Sequence, residues 1–283
     1  MPSQRDIRRR INASRNIRQI TRAMQFVAAS KLRRAQESTL AARPYSDLID
    51  EILADVASVL GGDDHPLLSR RPQGKRLIVL VSSDRGLAGG LTANVVRFVA
   101  REIVEHEGEL DLVTVGRKGR DAMRRNRVPI VAHFSAFGDR PRVEDVSPLA
   151  RLVSDEYEAG TYNQVDVVYT RFISTLVQRA DMCQLLPIPP TTDTHGIPGS
   201  QFIFEPTPAS VLDELLPRYV LTRLYQTALE STASFFSSQM VAMKNATENA
   251  DELIEDLTLS YNKVRQANIT RELIEIASGA QAR

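Results

Sequence analysis

The stretch from residue 218 to 278 contains neither glycine nor proline. Through it, apolar or small residues recur at three- and four-residue steps: Leu229, Ala233, Phe236, Met240, Met243, Ala246, Ala250, Ile254, Leu257, Tyr261 and Val264. That spacing draws one stripe along a helix that follows a partner helix for many turns. As a single helix the stretch would span roughly 90 Å, about three times the width of a small domain. A globular core cannot cover a helix over such a length. The chain therefore needs a second long helix, another protein, or both.

The other end of the chain offers the second helix. Ser3 with Asp6 reads as a helix start, a short-armed capping box. After it, no glycine or proline appears until Pro44. Ile7, Ile11, Ile17, Ile20, Met24, Val27, Ala28, Leu32 and Ala35 give an approximate helical stripe. Pro44 is expected to kink or break the helix. The pattern then resumes with Leu48, Ile52, Val56 and Val59 and stops at Gly61 and Gly62. Residues 1–60 are thus read as a long basic amphipathic helix and 208–283 as its C-terminal counterpart. The latter has Thr207 as N-cap, Pro208 at the first helical position, a bend expected at Pro217 and an end at Gly279.

Between the helices the period changes. A linker rich in glycine, proline and aspartate occupies 61–74. Residues 75–205 then read as an α/β domain of Rossmann-like type. Strands are expected at 77–81, 110–115, 130–134, 165–173 and 182–188, with a short candidate at 202–204. Helices are expected at 91–105, 117–127 and 148–158, and a loop at 187–199. Strands alternating with helices argue for a mainly parallel sheet. The fold class that follows is an α/β insert plus a long antiparallel two-helix coiled coil formed by the N- and C-terminal helices. The seams hold alanine, methionine and serine more than leucine and isoleucine. That composition suits close helix approach and leaves flanks for other proteins.

Charge and motif content exclude more than they assign. The first 43 residues carry 11 Lys/Arg against 2 Asp/Glu, and residues 209–283 carry 7 against 10, so a basic arm faces a mildly acidic one. Cys183 is the only cysteine, which rules out an intrachain disulfide. No apolar run approaches the ~18 residues of a membrane span, and the first ten residues lack the apolar core of a signal peptide. A cytosolic chain that meets a membrane only through partners is the expectation. The turn 82–90 (SSDRGLAGG) follows a strand and opens a helix, where phosphate-binding loops sit, but it lacks the lysine of a P-loop and the glycine spacing of a dinucleotide site. A structural tight turn is the stronger reading. Glu248, Asp251, Glu252, Glu255 and Asp256 have no histidine on either arm to complete a di-metal site and read as a solvated or partner-facing face. His65, His106, His133 and His195 show no ligand spacing. The arginines at 5, 8, 9, 10, 15, 18 and 22 could bind nucleic acid, yet no aromatic residue interleaves before Phe26. Two sequons, at Asn245 and Asn268, fall inside a predicted helix and are discounted. On the residues alone this is a coiled coil with an inserted α/β domain that acts mechanically or as a scaffold. It has no catalytic set, cofactor site or metal site. A nucleic-acid-binding scaffold and an α/β enzyme using the 84–90 turn stay open.

Several ungapped motifs, in order over the whole length, resemble one family. They are Ile20-Thr21-Arg22-Ala23-Met24 with residues 27–33 (VAASKLR), Ala42-Arg43-Pro44-Tyr45, residues 82–90, and Gln184-Leu185-Leu186-Pro187. The longest are residues 243–250 (MKNATENA), 259–263 (LSYNK) and 265–270 (RQANIT), followed by Glu272-Leu273. The chain resembles the gamma subunit of F-type ATP synthase, and the bacterial form in particular. The resemblance implies a central rotor shaft that couples proton-driven rotation of a membrane c-ring to conformational changes of the catalytic beta subunits, for ATP synthesis or, in reverse, hydrolysis. It implies partners, namely alpha, beta and epsilon subunits and the c-ring, with no nucleic acid and no direct membrane insertion. It implies no enzyme activity of this chain alone and no cofactor. The implied location is the cytoplasmic side of the bacterial cell membrane, as a peripheral protein held there by the complex. Arg265, Gln266 and Thr270 match the family's upper shaft, where it hydrogen-bonds a beta subunit. Met24 matches the place where the shaft passes the acidic beta lever loops. Ala88 stands where many members have cysteine, and Pro217 departs from the family pattern.

Overall fold

The computed structural model describes residues 3–60, 65–71, 74–189 and 207–281. In chain order the elements are α1 (Gln4–Leu60), β1 (Lys75–Val81), α2 (Leu91–Glu105), β2 (Leu110–Val115), α3 (Arg117–Arg125), β3 (Ala132–Phe134), α4 (Val143–Glu158), β4 (Tyr162–Phe172), β5 (Gln178–Leu186) and α5 (Pro208–Gln281). The expected strand at 202–204 and most of the expected loop at 187–199 lie outside the described residues.

The strands form one sheet in the order β3-β2-β1-β4-β5. All neighbours are parallel except the β4–β5 hairpin. β1 is central, and Leu77 to Val81 are all buried. Its unbroken apolar run follows from that position, since helices cover both faces and neither side can be polar. Ile78, Leu80, Leu112 and Val168 meet Val95 and Val99 of α2 and Met123 of α3 on one face. On the other, Leu77, Val79, Val113 and Val167 meet Leu149, Val153 and Tyr157 of α4, with Ile49 and Leu53 of α1 and Leu216, Val220 and Leu224 of α5.

The chain divides into two compact units, Ser30–Ser238 and Met1–Ala29 with Gln239–Arg283, and α1 and α5 contribute to both. Within the smaller unit the helices are antiparallel. Gln4 Nε2 donates to the Tyr261 hydroxyl at 3.1 Å, Arg18 Nη1 pairs with Asp251 at 2.9 Å, and the Thr21 and Thr247 hydroxyls lie 2.8 Å apart. Within the larger unit Ser46 Oγ donates to Gln226 Oε1 at 3.1 Å in the same sense. The α1 start is capped as read: Asp6 N donates to Ser3 Oγ at 3.2 Å and Ser3 Oγ donates to Asp6 Oδ2 at 2.7 Å. The Ser3 hydroxyl and the Ser3 N–H, the latter at 3.3 Å, both donate to the Asp6 carboxylate and hold it below its ordinary pKa.

The α5 seam follows the sequence stripe. Leu229, Ala233, Phe236, Met243 and Ala250 are buried, and Met240, Ala246, Ile254, Leu257, Tyr261 and Val264 are half-buried. The α1 stripe needs correction. Its buried positions are Ile7, Ile11, Ser14, Thr21, Ala28, Leu32, Ala35, Thr39, Ser46, Ile49 and Leu53. They fit steps of three, four and seven, the heptad repeat of a left-handed coiled coil. Ile17, Ile20 and Val27 are instead 53%, 58% and 54% exposed. The seam runs through Ser14 and Thr21, whose small side chains let the backbones approach. Thr21 Oγ1 lies 3.1 Å from the Arg18 carbonyl and 2.8 Å from the Thr247 hydroxyl, so burial leaves it satisfied.

Pro148 did not set the helix start read at it, while Pro44 and Pro217 fall inside the long helices read around them. Pro44 lies inside α1, Pro217 inside α5 and Pro148 inside α4. All three are solvent-exposed, so the carbonyls at Leu40, Asp213 and Glu144 that lose a donor can turn to water. Helix α4 starts five residues earlier than read, at Val143, where Asp145 Oδ2 accepts from the Arg142 N–H at 3.0 Å. Helix α5 runs through Gly279 to Gln281.

Candidate functional site: the paired helices and their collar

Helix α5 is tied to the C-terminal edge of the sheet by a row of serines. Ser231 Oγ accepts from the Thr170 N–H at 3.4 Å, and Ser234 Oγ donates to the Thr170 carbonyl at 3.0 Å. Ser237 Oγ donates to the Thr175 carbonyl at 2.7 Å and accepts from Gln178 Nε2 at 3.2 Å. Ser238 Oγ donates to the Ala88 carbonyl at 2.7 Å. The row grips the end of β4, the β4–β5 hairpin and the turn after β1.

The turn at 82–90 is itself built into the sheet edge. Ser82 Oγ donates to the Val115 carbonyl at 2.8 Å and accepts from the Gly119 N–H at 2.9 Å. Asp84 Oδ1 accepts from the Arg117 N–H at 2.8 Å. Leu87 and Gly89 both take positive φ, 65° and 54°. Open α/β sheets bind ligands where the strand order reverses, outside the carboxyl ends of the strands. In this sheet that point lies between β1 and β4. Here α5 fills it, with Ser231, Phe235 and Phe236 against residues 81–85, leaving a cavity of about 90 Å³. That is far short of the several hundred Å³ a nucleotide site needs. The reading of this turn as structural stands on that volume.

Helix α1 is held at the same edge by charge. Lys31 Nζ lies 2.7 Å from Asp139 Oδ2 and 5.4 Å from the centre of the Phe236 ring. Arg85 Nη1 lies 3.2 Å from Asp139 Oδ1. Partial burial pushes the Asp139 carboxyl up, but the Lys31 hydrogen bond and the charges of Arg85 and Lys31 outweigh it and hold the group below its ordinary range. In the sequence Lys31, Arg85 and Phe236 fall inside motifs or the seam, but nothing there pointed to Asp139 or to their meeting. Serines at 231, 234, 237 and 238 recur at three- and four-residue steps on one helix, and that spacing was the available signal.

The four residues named from the resemblance fall into two places. Met24 is half-buried on α1. Arg265, Gln266 and Thr270 are exposed on α5, and Thr270 Oγ1 donates to the Gln266 carbonyl at 2.9 Å. Because Gln4 meets Tyr261, α1 ends before this part of α5 begins. Met24 is level with about residue 244, so some 30 Å of helix separates the two places at ~1.5 Å per residue. Around the second, Ile269, Leu273, Ile274 and Ile276 are all 45% or more exposed.

The remaining candidates do not converge. Asp251 pairs with Arg18, and Glu248 with Lys244 at 3.8 Å. His65 lies 3.4 Å from Asp213, while His133 Nδ1 is 3.2 Å from the Thr114 hydroxyl. Among the described residues no group of three or more His, Cys, Asp or Glu could hold a metal ion, and no helix is long and apolar enough to cross a membrane. Burial pushes the Cys183 thiol up to about 12, so it stays protonated and unreactive at neutral pH.

The family model described as ATP synthase matches residues 3–282. The ATP synthase gamma chain of Pelotomaculum thermopropionicum is 44% identical over 282 residues, covering all of this chain and 99% of the relative. That of Roseiflexus sp. strain RS-1 is 47% identical over 291 residues, with the same coverage. Among solved structures, a rotor chain of the Euglena gracilis mitochondrial ATP synthase matches with TM-score 0.67 at 16% identity, over 94% of this chain and 98% of that one. A chain from the central stalk and c-ring of the Tetrahymena thermophila enzyme matches with TM-score 0.63 at 24% identity, over 80% and 99%. At those identities the structures speak for the fold.

Proposed function

The chain belongs to the ATP synthase gamma chain family, and from that premise we propose that it works as the central rotor shaft of an F-type ATP synthase. The observation that carries this reading is mechanical. Two long antiparallel helices are anchored in an α/β body by serine hydrogen bonds and an ion-pair cluster, and one of them outruns the other at its C-terminal end.

Rotation of the membrane c-ring turns the body, and the body turns the helix pair. A shaft with unlike flanks meets the three catalytic beta subunits differently at each angle. It shifts their conformational equilibria only through that difference in contact. The basic α1 side, with Arg5, Arg8, Arg9, Arg10, Arg15 and Arg22 exposed, is unlike the acidic α5 side with Asp251, Glu252, Glu255 and Asp256. Bond making and breaking belongs to the beta subunits, and this chain supplies no catalytic group or cofactor.

Three working parts are proposed: an N-terminal shaft helix at 1–60, the globular domain at 75–205 and the C-terminal shaft helix at 208–283. Arg265, Gln266 and Thr270 are proposed as the contact with a beta subunit near the shaft's tip, and Met24 as the contact with the beta lever loops. Both are supported by exposure on a helix surface, full for the first three and partial for Met24. The body is proposed to meet the epsilon subunit and the c-ring. The complex thereby holds the chain at the cytoplasmic face of a bacterial membrane. Co-purification tests the reading: the chain is mixed with folded alpha and beta subunits from the same source and resolved by size exclusion. A complex with one copy per three alpha–beta pairs and faster ATP hydrolysis than the empty ring is expected. A chain that elutes alone refutes it.

A further inference from the structure

The boundary of the larger unit falls at Ser30 on α1 and at Ser238 on α5. A twist carried by the body reaches each helix through whatever grips it near that boundary. The grip on α5 is broad: Ser234 and Ser237 are fully buried, and Ser231, Ser234, Ser237 and Ser238 all bond the sheet edge. The grip on α1 is of another kind. Its buried residues here are Ala28, Leu32 and Ala35, apolar side chains that bring no hydrogen bond or charge to the grip.

On the same turn of α1, Lys31 reaches the body. Its ammonium takes one oxygen of Asp139 at 2.7 Å, and Arg85 takes the other at 3.2 Å. Asp139 stands in the loop between β3 and α4, and Arg85 in the turn after β1. One carboxylate thus joins a shaft helix to two separate loops of the sheet edge. Lys31 also sits over the Phe236 ring at 5.4 Å, which brings α5 into the same cluster. Gly138, just before Asp139, holds φ at +71° with nothing within 4 Å of where a Cβ would lie. The glycine is there for the backbone bend that presents Asp139, and not for want of space.

We propose that Asp139 is a positioning residue for torque transfer: with Lys31 and Arg85 it clamps α1 to the α/β body, so that body and helix turn together. The proposal rests on the rotor reading above and adds to it the place where the load crosses. The clamp contributes little to folding, because its members are 30–62% exposed. It matters when a sideways load acts on α1.

The test uses the whole assembled complex carrying Asp139→Asn, Asp139→Glu or Arg85→Gln. With the head fixed, the thermal angular fluctuation of a bead on the body reports the torsional stiffness of the shaft. ATP hydrolysis and ATP-driven proton uptake are measured in vesicles of the same preparation. Asp139→Asn should lower the stiffness at least twofold and lower proton uptake more than hydrolysis, with the melting temperature of the free chain lowered only by about 2 °C or less. Asp139→Glu should restore most of both. Arg85→Gln, which removes one of the two cations, should fall between. Unchanged stiffness in Asp139→Asn overturns the clamp. If Asp139→Asn fails to assemble, unchanged stiffness in Arg85→Gln overturns it. Failure of the unmutated chain to couple hydrolysis to proton uptake would count against the rotor reading instead, so the two failures are distinct.

Discussion

Replacing Gly116 with alanine should unfold the sheet edge on which the collar stands. Gly116 follows β2 with φ at +88°, and its N–H donates to the Phe134 carbonyl at 2.9 Å. A Cβ built there would lie 2.1 Å from the Ser82 carbonyl oxygen and 2.7 Å from its carbon. Ordinary contact needs about 3.5 Å, so the end of β1 would have to move by more than an ångström. That movement breaks the Ser82 N–H bond to Val115 at 2.9 Å and strains the Ser82 hydroxyl, which bridges Val115 and Gly119. Left-handed backbone costs an L-residue about 1–2 kcal/mol, two lost hydrogen bonds about 2 kcal/mol together, and forced repacking about 1 kcal/mol or more. The sum is about 4–5 kcal/mol, which at roughly 2–4 °C per kcal/mol for a chain of this size lowers Tm by about 8–20 °C. Gly138→Ala is the control, since it has positive φ but open space, and it should cost only the ~1–2 kcal/mol of backbone strain. Thermal melts followed by circular dichroism decide. Equal losses in the two variants would refute the steric argument and leave backbone conformation as the whole effect.

Other expectations follow from the same contacts. Ile17→Ser and Ile20→Ser should leave Tm within about 2 °C, because both side chains are more than half exposed, whereas Ala28→Leu, at a fully buried seam position, should cost about 1–3 kcal/mol by overpacking. Melts of the isolated chain would invert that order if the α1 seam were instead the apolar stripe. The Asp139 carboxyl is held below its unfolded value, so its contribution to stability is complete above about pH 4 and is lost as pH falls through the lower folded value. Denaturant unfolding between pH 6 and 3 should therefore show a shallower acid loss in Asp139→Asn than in the parent. Gln266→Ala or Thr270→Ala should lower ATPase turnover of the assembled complex without changing the melt of the free chain, since both are exposed. Unchanged turnover removes them from the beta contact.

What the sequence made legible was whatever depended on local repetition. Leu77 to Val81 announces a strand covered on both faces, and the 229–264 stripe announces its own seam, because each residue type there matches its burial. The α1 stripe was half legible. Apolar character marked Ile17, Ile20 and Val27, yet the backbones meet at Ser14 and Thr21, where small size outweighs hydrophobicity. Pro148 looked like a helix start because a sequence does not reveal that it faces solvent inside a longer helix. The position of β4 beside β1 had no local signature. Nor did the collar, whose bonds join Ser238 to Ala88, Ser234 to Thr170 and Lys31 to Asp139, residues far apart in the chain. Arg265, Gln266, Thr270 and Met24 were singled out by likeness to a family, and no pattern of charge or periodicity distinguishes them from their neighbours.

Rotation itself is the most direct observable. The chain is assembled with its alpha and beta subunits, the ring is fixed to a surface, and a bead is attached to the α/β body. On adding ATP, the bead should turn in one direction, in steps that scale with hydrolysis. Hydrolysis at full rate with a bead that only fluctuates about one angle would contradict a shaft role for these helices.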